Sequence, residues 1–117
     1  MYGNPQRRDA PVTLELRRQA GRWLKQLREE AGLSQRQLAM KVGSDYYTFI
    51  SQLESGRGRI PPDKYLVWAE ALNLDARGFV KEIMRFYDPV TFDILFGNQT
   101  DSGMTAAPRA ANDVQAV

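Results

Sequence analysis

The stretch Leu33-Ser34-Gln35-Arg36-Gln37-Leu38-Ala39-Met40-Lys41-Val42-Gly43 limits what this chain can fold into more than any other segment. Ser34 can cap a helix, and Gln37 three residues on completes a capping box, so two otherwise orphaned N–H groups are satisfied reciprocally. Leu33 before the cap and Leu38 inside the helix supply a hydrophobic staple. Gly43 then ends the helix, because glycine takes up a positive φ at little cost. Ser44 or Asp45 is expected to cap a second short helix that runs to about Glu54 and stops at Ser55-Gly56. Ala39 falls where the two helices should cross, and its small side chain permits close approach.

The remaining elements are helical as well. Leu16, Ala20, Trp23, Leu24, Leu27 and Ala31 share one face at helical spacing, predicting a helix over Thr13–Ala31 with Arg17, Arg18, Arg22, Lys25 and Arg28 elsewhere on its surface. Gly32 ends it. Pro61-Pro62-Asp63 marks another helix start, with Tyr65, Leu66, Ala69 and Leu72 as its apolar stripe. Asn73-Leu74-Asp75 breaks that helix. A fifth follows with Phe79, Val80, Ile83, Met84 and Tyr87 on one side. Asp88-Pro89 opens a last short helix bearing Phe92, Leu95 and Phe96. The expectation is an all-α domain of five helices with a short C-terminal helix added. Residues 1–11 read as a flexible N-terminal arm, 12–96 as the domain with its extension, and 97–117 as a disordered tail.

Composition narrows the chemistry. A chain of 117 residues, 43% hydrophobic, suits one small domain with one core. It has no cysteine and no histidine, which removes disulfides, thiol nucleophiles, imidazole catalysis and most transition-metal sites. Glu29 and Glu30 are neighbours on a helix surface rather than carboxylates opposed across a cleft. Gly56-Arg57-Gly58-Arg59 lacks the Lys-Ser/Thr ending of a phosphate-binding P-loop. No catalytic residue, metal ligand or cofactor is therefore expected. No apolar run is long enough to span a membrane and the N-terminus lacks the apolar core of a signal peptide, so a cytoplasmic, nucleoid-associated location is expected.

Charge is unevenly spread. Residues 1–60 carry 11 Lys/Arg against 6 Asp/Glu, a balance of +5, whereas residues 61–117 carry 5 against 8, a balance of −3. The basic half contains both short helices.

In the second of those helices, Tyr46, Ile50 and Leu53 are expected to point inward. Tyr47, Thr48, Ser51, Gln52 and Ser55 are left on the outer face. The segment from about Trp23 to Leu74 resembles the lambda-repressor/Cro/Xre family of DNA-binding domains. The resemblance rests on Leu27-Arg28-Glu29-Glu30-Ala31-Gly32-Leu33-Ser34-Gln35, on Leu38-Ala39-Met40-Lys41-Val42-Gly43, and on Ile50-Ser51-Gln52-Leu53-Glu54-Ser55-Gly56. Between Gly43 and Ile50 the chain holds one residue more than the commonest family spacing, within Ser44-Asp45-Tyr46-Tyr47.

The resemblance implies that the second helix enters a DNA major groove. Gln52 is the expected base reader, since its amide can pair bidentately with adenine. Thr48 and Ser51 can reach phosphates, base edges or a thymine methyl, and Ser55 extends the same face. Gln35 and Arg36 open the preceding helix, where Gln35 would meet a phosphate or brace a base-contacting side chain. Tyr47 would pack on the sugar-phosphate backbone. Tyr46 shares the contact region, although core packing is the stronger expectation for Tyr46 and Phe49. Arg57 and Arg59 would clamp phosphates. Trp23 and Trp68 are read as packing residues, and Glu54 as a structural carboxylate bonded to nearby backbone or an arginine.

The function expected is a sequence-specific regulator binding double-stranded DNA as a homodimer on a palindromic operator. The C-terminal apolar residues Phe86, Phe92, Leu95 and Phe96 would form the dimer surface. They could instead cap the monomer's own core. A second reading is an antitoxin or adaptor whose helix-turn-helix domain mainly binds a protein partner.

Overall fold

The computed structural model describes the backbone of residues 5–97 and the side chains of residues 11–97. Six α-helices are present and no strand is found among the described residues: α1 (Pro5–Glu30), α2 (Gln35–Lys41), α3 (Thr48–Glu54), α4 (Tyr65–Ala71), α5 (Ala76–Tyr87) and α6 (Pro89–Phe96). One turn of 3-10 helix, Pro62–Lys64, leads into α4. The first unit ends at Tyr87, and α6 belongs to a second.

α1 is longer than its apolar period suggests. It begins at Pro5 rather than Thr13, so residues 5–11 of the expected arm are helical. Proline fits a first helical position, where its missing N–H has no partner to lose, and Pro11 forgoes one intrahelical bond without ending the helix. The proposed tail lies, from residue 98 onward, outside the described residues.

Capping sets the short helices. Ser34 Oγ accepts the Gln37 N–H at 3.0 Å, and Gln37 Oε1 accepts the Ser34 N–H at 2.8 Å, completing the expected box. At the other end of α2, Gly43 has φ +76°, which lets the Ser44 N–H reach Ala39 O at 2.9 Å and the Gly43 N–H reach Met40 O at 3.3 Å. The same pair of reversed bonds closes α4 at Asn73, the one described non-glycine residue with positive φ. In α5, Asp75 accepts the Gly78 N–H at 2.8 Å, and in α6, Asp88 accepts the Thr91 N–H at 3.2 Å.

The core of the first unit gathers Leu24 from α1, Leu38, Ala39 and Val42 from α2, and Ile50 and Leu53 from α3. Trp68 of α4 is its largest fully buried side chain, and Phe79 and Ile83 of α5 complete it. Trp23 stacks on Phe79 with ring centroids 5.6 Å apart, so both tryptophans are packing residues as expected. Ala39 is buried in this core.

Three expectations about facing change. Leu66 is exposed, and the inward stripe of α4 is Tyr65, Trp68, Ala69 and Leu72, which keeps helical spacing once Trp68 is counted. Tyr46 is 72% exposed rather than inward, because α3 starts only at Thr48 and Tyr46 lies outside its register. Arg28, expected on the polar face of α1, is buried.

A glycine inside α1 determines how α3 is seated. At Gly21 an added Cβ would lie 2.6 Å from Leu53 O and closer still to Glu54 O, the carbonyls at the end of α3. The helices thus cross backbone to backbone. Close approach of this kind is one reason a helix tolerates an interior glycine.

Candidate nucleic-acid interface

α3 is a helix of seven residues, too short to be stable by itself, so its orientation depends on packing. Ile50 and Leu53 anchor it in the core and Phe49 is half-buried against them. The opposite face presents Thr48, Ser51, Gln52 and Ser55, all exposed, at spacings of three and four residues. The amide of Gln52 has no intramolecular partner among the described residues and is open to an external one. Ser55 Oγ donates to Gln52 O at 3.0 Å and helps close the helix, which leaves its lone pairs outward.

The segment Ser44–Tyr47 absorbs the extra residue as a turn rather than as helix. Ser44 does not cap α3. Its Oγ donates to Tyr46 O at 3.0 Å and accepts from Tyr46 N at 3.4 Å, folding the turn on itself. Tyr47 occupies the cap position of α3 without a side-chain cap bond. Its ring lies under the Arg36 guanidinium, with Cζ 4.8 Å from the centroid. Two expected contact residues, from α2 and from the turn, are therefore brought together, and the planar cation is held against the ring face.

Behind this surface a buried ion pair fixes α3 in place. Arg28 Nε donates to Glu54 Oε2 at 2.6 Å and Arg28 Nη2 to Glu54 Oε1 at 3.1 Å. Arg28 Nη1 donates to Leu33 O at 2.8 Å. Gln35 Nε2 donates to Glu54 Oε1 at 3.0 Å. One carboxylate thus joins the last turns of α1 and α3 to the first residue of α2. The Glu54 hydrogen bonds, opposed in part by burial, hold the Arg28 pKa above its ordinary high value. Glu54 bonds to an arginine, as the sequence suggests, and Gln35 braces it through one amide N–H.

Arg57 and Arg59 sit on the loop after α3, both exposed. Arg57 extends to solvent, whereas Arg59 stacks on Tyr87 of α5 with Cζ 4.8 Å from the ring centroid. Neither Gly21 nor the burial of Arg28 was anticipated. Gly21 carries a readable signal, a glycine on the apolar face between Ala20 and Leu24. For the Arg28–Glu54 pair nothing local distinguishes Arg28 from its exposed helical neighbours.

Two short helices braced at a fixed angle, with a polar outer face on the second, make a helix-turn-helix. Residues 24–79 match the model of the helix-turn-helix family of lambda-repressor/Cro/Xre type, and the match supports DNA-binding transcription regulation. No curated protein matches the chain. No described helix is long and apolar enough to cross a membrane.

Proposed function

We propose that the chain is a sequence-specific regulator whose α3 reads double-stranded DNA in the major groove. The observation carrying this reading is the exposed Thr48–Ser51–Gln52–Ser55 face on a helix whose other side is locked into the core. Gln52, with a free amide, reads a base edge. Thr48 and Ser51 flank it, and Tyr46 and Tyr47 lie along the sugar-phosphate backbone at one end of the helix. Arg36, Arg57 and Arg59 neutralise phosphates, which sets register and affinity rather than sequence.

A single motif of this kind covers few base pairs, so the regulator acts as a homodimer on half-sites one helical turn apart, about 34 Å. Support comes from α6, whose Val90, Ile94, Leu95 and Phe96 are exposed apolar residues. Phe92 and Phe96 pair within α6 at 5.3 Å between ring centroids. Phe86 contributes less than its sequence position suggests, since its ring already lies 5.6 Å from Trp23 within the first unit.

Duplex-binding titrations on two variants test the division of labour. Gln52→Ala is expected to cost roughly 1–3 kcal/mol on the preferred site and little on random duplex. Arg57→Ala is expected to weaken both equally and to make the salt slope shallower by about 1. Equal loss on both duplexes for Gln52→Ala sinks the base-reading role, and a changed sequence preference for Arg57→Ala sinks the phosphate role.

A further inference from the structure

Two side chains from outside the family-matched residues converge on the loop that follows α3. The ring of Tyr87, the last residue of α5, has Arg59 Cζ 4.8 Å and Arg17 Cζ 5.5 Å from its centroid. The Tyr87 hydroxyl accepts the Ile60 N–H at 3.1 Å, which anchors the loop beside Arg59. Arg17 precedes the matched segment 24–79 and Tyr87 follows it, while Arg59 lies within it. These three residues come together only because α1 and α5 extend past the minimal motif.

Their charges are unbalanced. On the same helix, Arg18 and Arg22 both pair with Glu15, at 3.7 and 3.4 Å. Among the described residues, neither Arg17 nor Arg59 has a carboxylate partner. A ring face attracts cations without neutralising them, so two guanidiniums against one tyrosine still repel each other. An anion that reached both guanidiniums would relieve that repulsion, and planar guanidinium forks match the paired oxygens of a phosphate. Stacking on the ring also restricts both side chains beforehand, which lowers the entropy lost on binding.

The position beside α3 singles out one phosphate source. Arg59 lies four positions after Ser55, a span of at most about 14 Å. At Gly56 the loop backbone rests on α1, where an added Cβ would come 3.0 Å from Arg18 Cα. Duplex DNA carries one charge per about 1.7 Å of axis, so a duplex held by α3 would bring several phosphates within reach of a site this near the base-reading face.

We propose that Arg17 and Arg59, held against Tyr87, form a phosphodiester-binding site that grips the backbone of the same duplex that α3 reads. This rests on the duplex-binding reading above and adds a contact from beyond the helix-turn-helix itself. The test is Arg17→Gln in the full chain, titrated with preferred and random duplexes across a range of salt. Affinity is expected to fall about tenfold on both duplexes. The salt slope is expected to become shallower by about 1, with an unchanged thermal midpoint. Arg17→Lys, which keeps the charge, is expected to restore the slope. An unchanged slope in Arg17→Gln, with wild type binding normally, overturns the site and leaves duplex reading by α3 intact. A lowered thermal midpoint with the slope retained assigns Arg17 a structural role and overturns it equally. Wild-type chain that binds no duplex overturns the duplex reading itself, and this site with it.

Discussion

Glu54→Ala is expected to destabilise the domain by about 3–5 kcal/mol, because it strands a buried arginine rather than merely removing a contact. Arg28 would keep only its bond to Leu33 O, and Gln35 would lose its acceptor. Domains of this size are stable by about 5–15 kcal/mol, so most of the margin would go. Thermal unfolding followed by circular dichroism measures it, with the midpoint lowered by tens of degrees on the usual scale of about 4–8 °C per kcal/mol. The cause can be separated from simple loss of packing. Replacing both partners together, as Arg28→Met with Glu54→Leu, is expected to recover much of the loss, since an apolar pair of similar volume avoids the uncompensated charge. A loss below about 1 kcal/mol for Glu54→Ala would place the pair in effective contact with water and remove it as the brace of α3.

Gly21→Ala is expected to cost about 3 kcal/mol, against the sign of helix propensity. On an open helix surface the same change stabilises by about 0.5–1 kcal/mol, since alanine is the better helix former. Here the new methyl meets Leu53 O at 2.6 Å, with Glu54 O nearer still, and backbone carbonyls cannot rotate away. α1 and α3 would have to separate, opening the packing around Leu24 and Leu53. Because the displaced element is α3, specific duplex binding should fall in the fraction that remains folded. Chemical denaturation measures the stability. A stabilised variant would mean that the helices can part at no cost and that Gly21 does not set their spacing.

Local signals carried much of this fold into the sequence. The capping box at Ser34, the positive-φ turn at Gly43 and the proline-led starts of α4 and α6 each depend on residues within one helical turn. They are therefore readable one at a time. The inward placement of Ile50 and Leu53 followed from the period of α3, and the outward row Thr48, Ser51, Gln52 and Ser55 with it. Resemblance to a known family added the task, which spacing alone does not supply.

What stayed hidden depends on residues far apart in the chain. Arg28 looks like any surface arginine of α1 until Glu54, 26 positions on, arrives beside it. Tyr87 meets Arg17 across a still larger separation, and nothing in either neighbourhood encodes the meeting. Tyr46 departs from the period of α3 for a different reason. Capping residues occur at both Ser44 and Asp45, yet the Ser44 hydroxyl bonds the Tyr46 backbone instead and delays α3 to Thr48. Competition of this kind between a turn and a cap is decided by geometry that composition does not reveal.

The central claim, that the exposed face of α3 reads duplex sequence, is tested most directly by selection from a pool of randomised duplexes. Wild type and Gln52→Ala are compared on the sequences they retain. The expected result is a two-fold symmetric consensus for wild type, and for Gln52→Ala the same consensus relaxed at one base position in each half-site. A wild-type protein that enriches no sequence, or a Gln52→Ala variant that enriches an unaltered consensus, would contradict it.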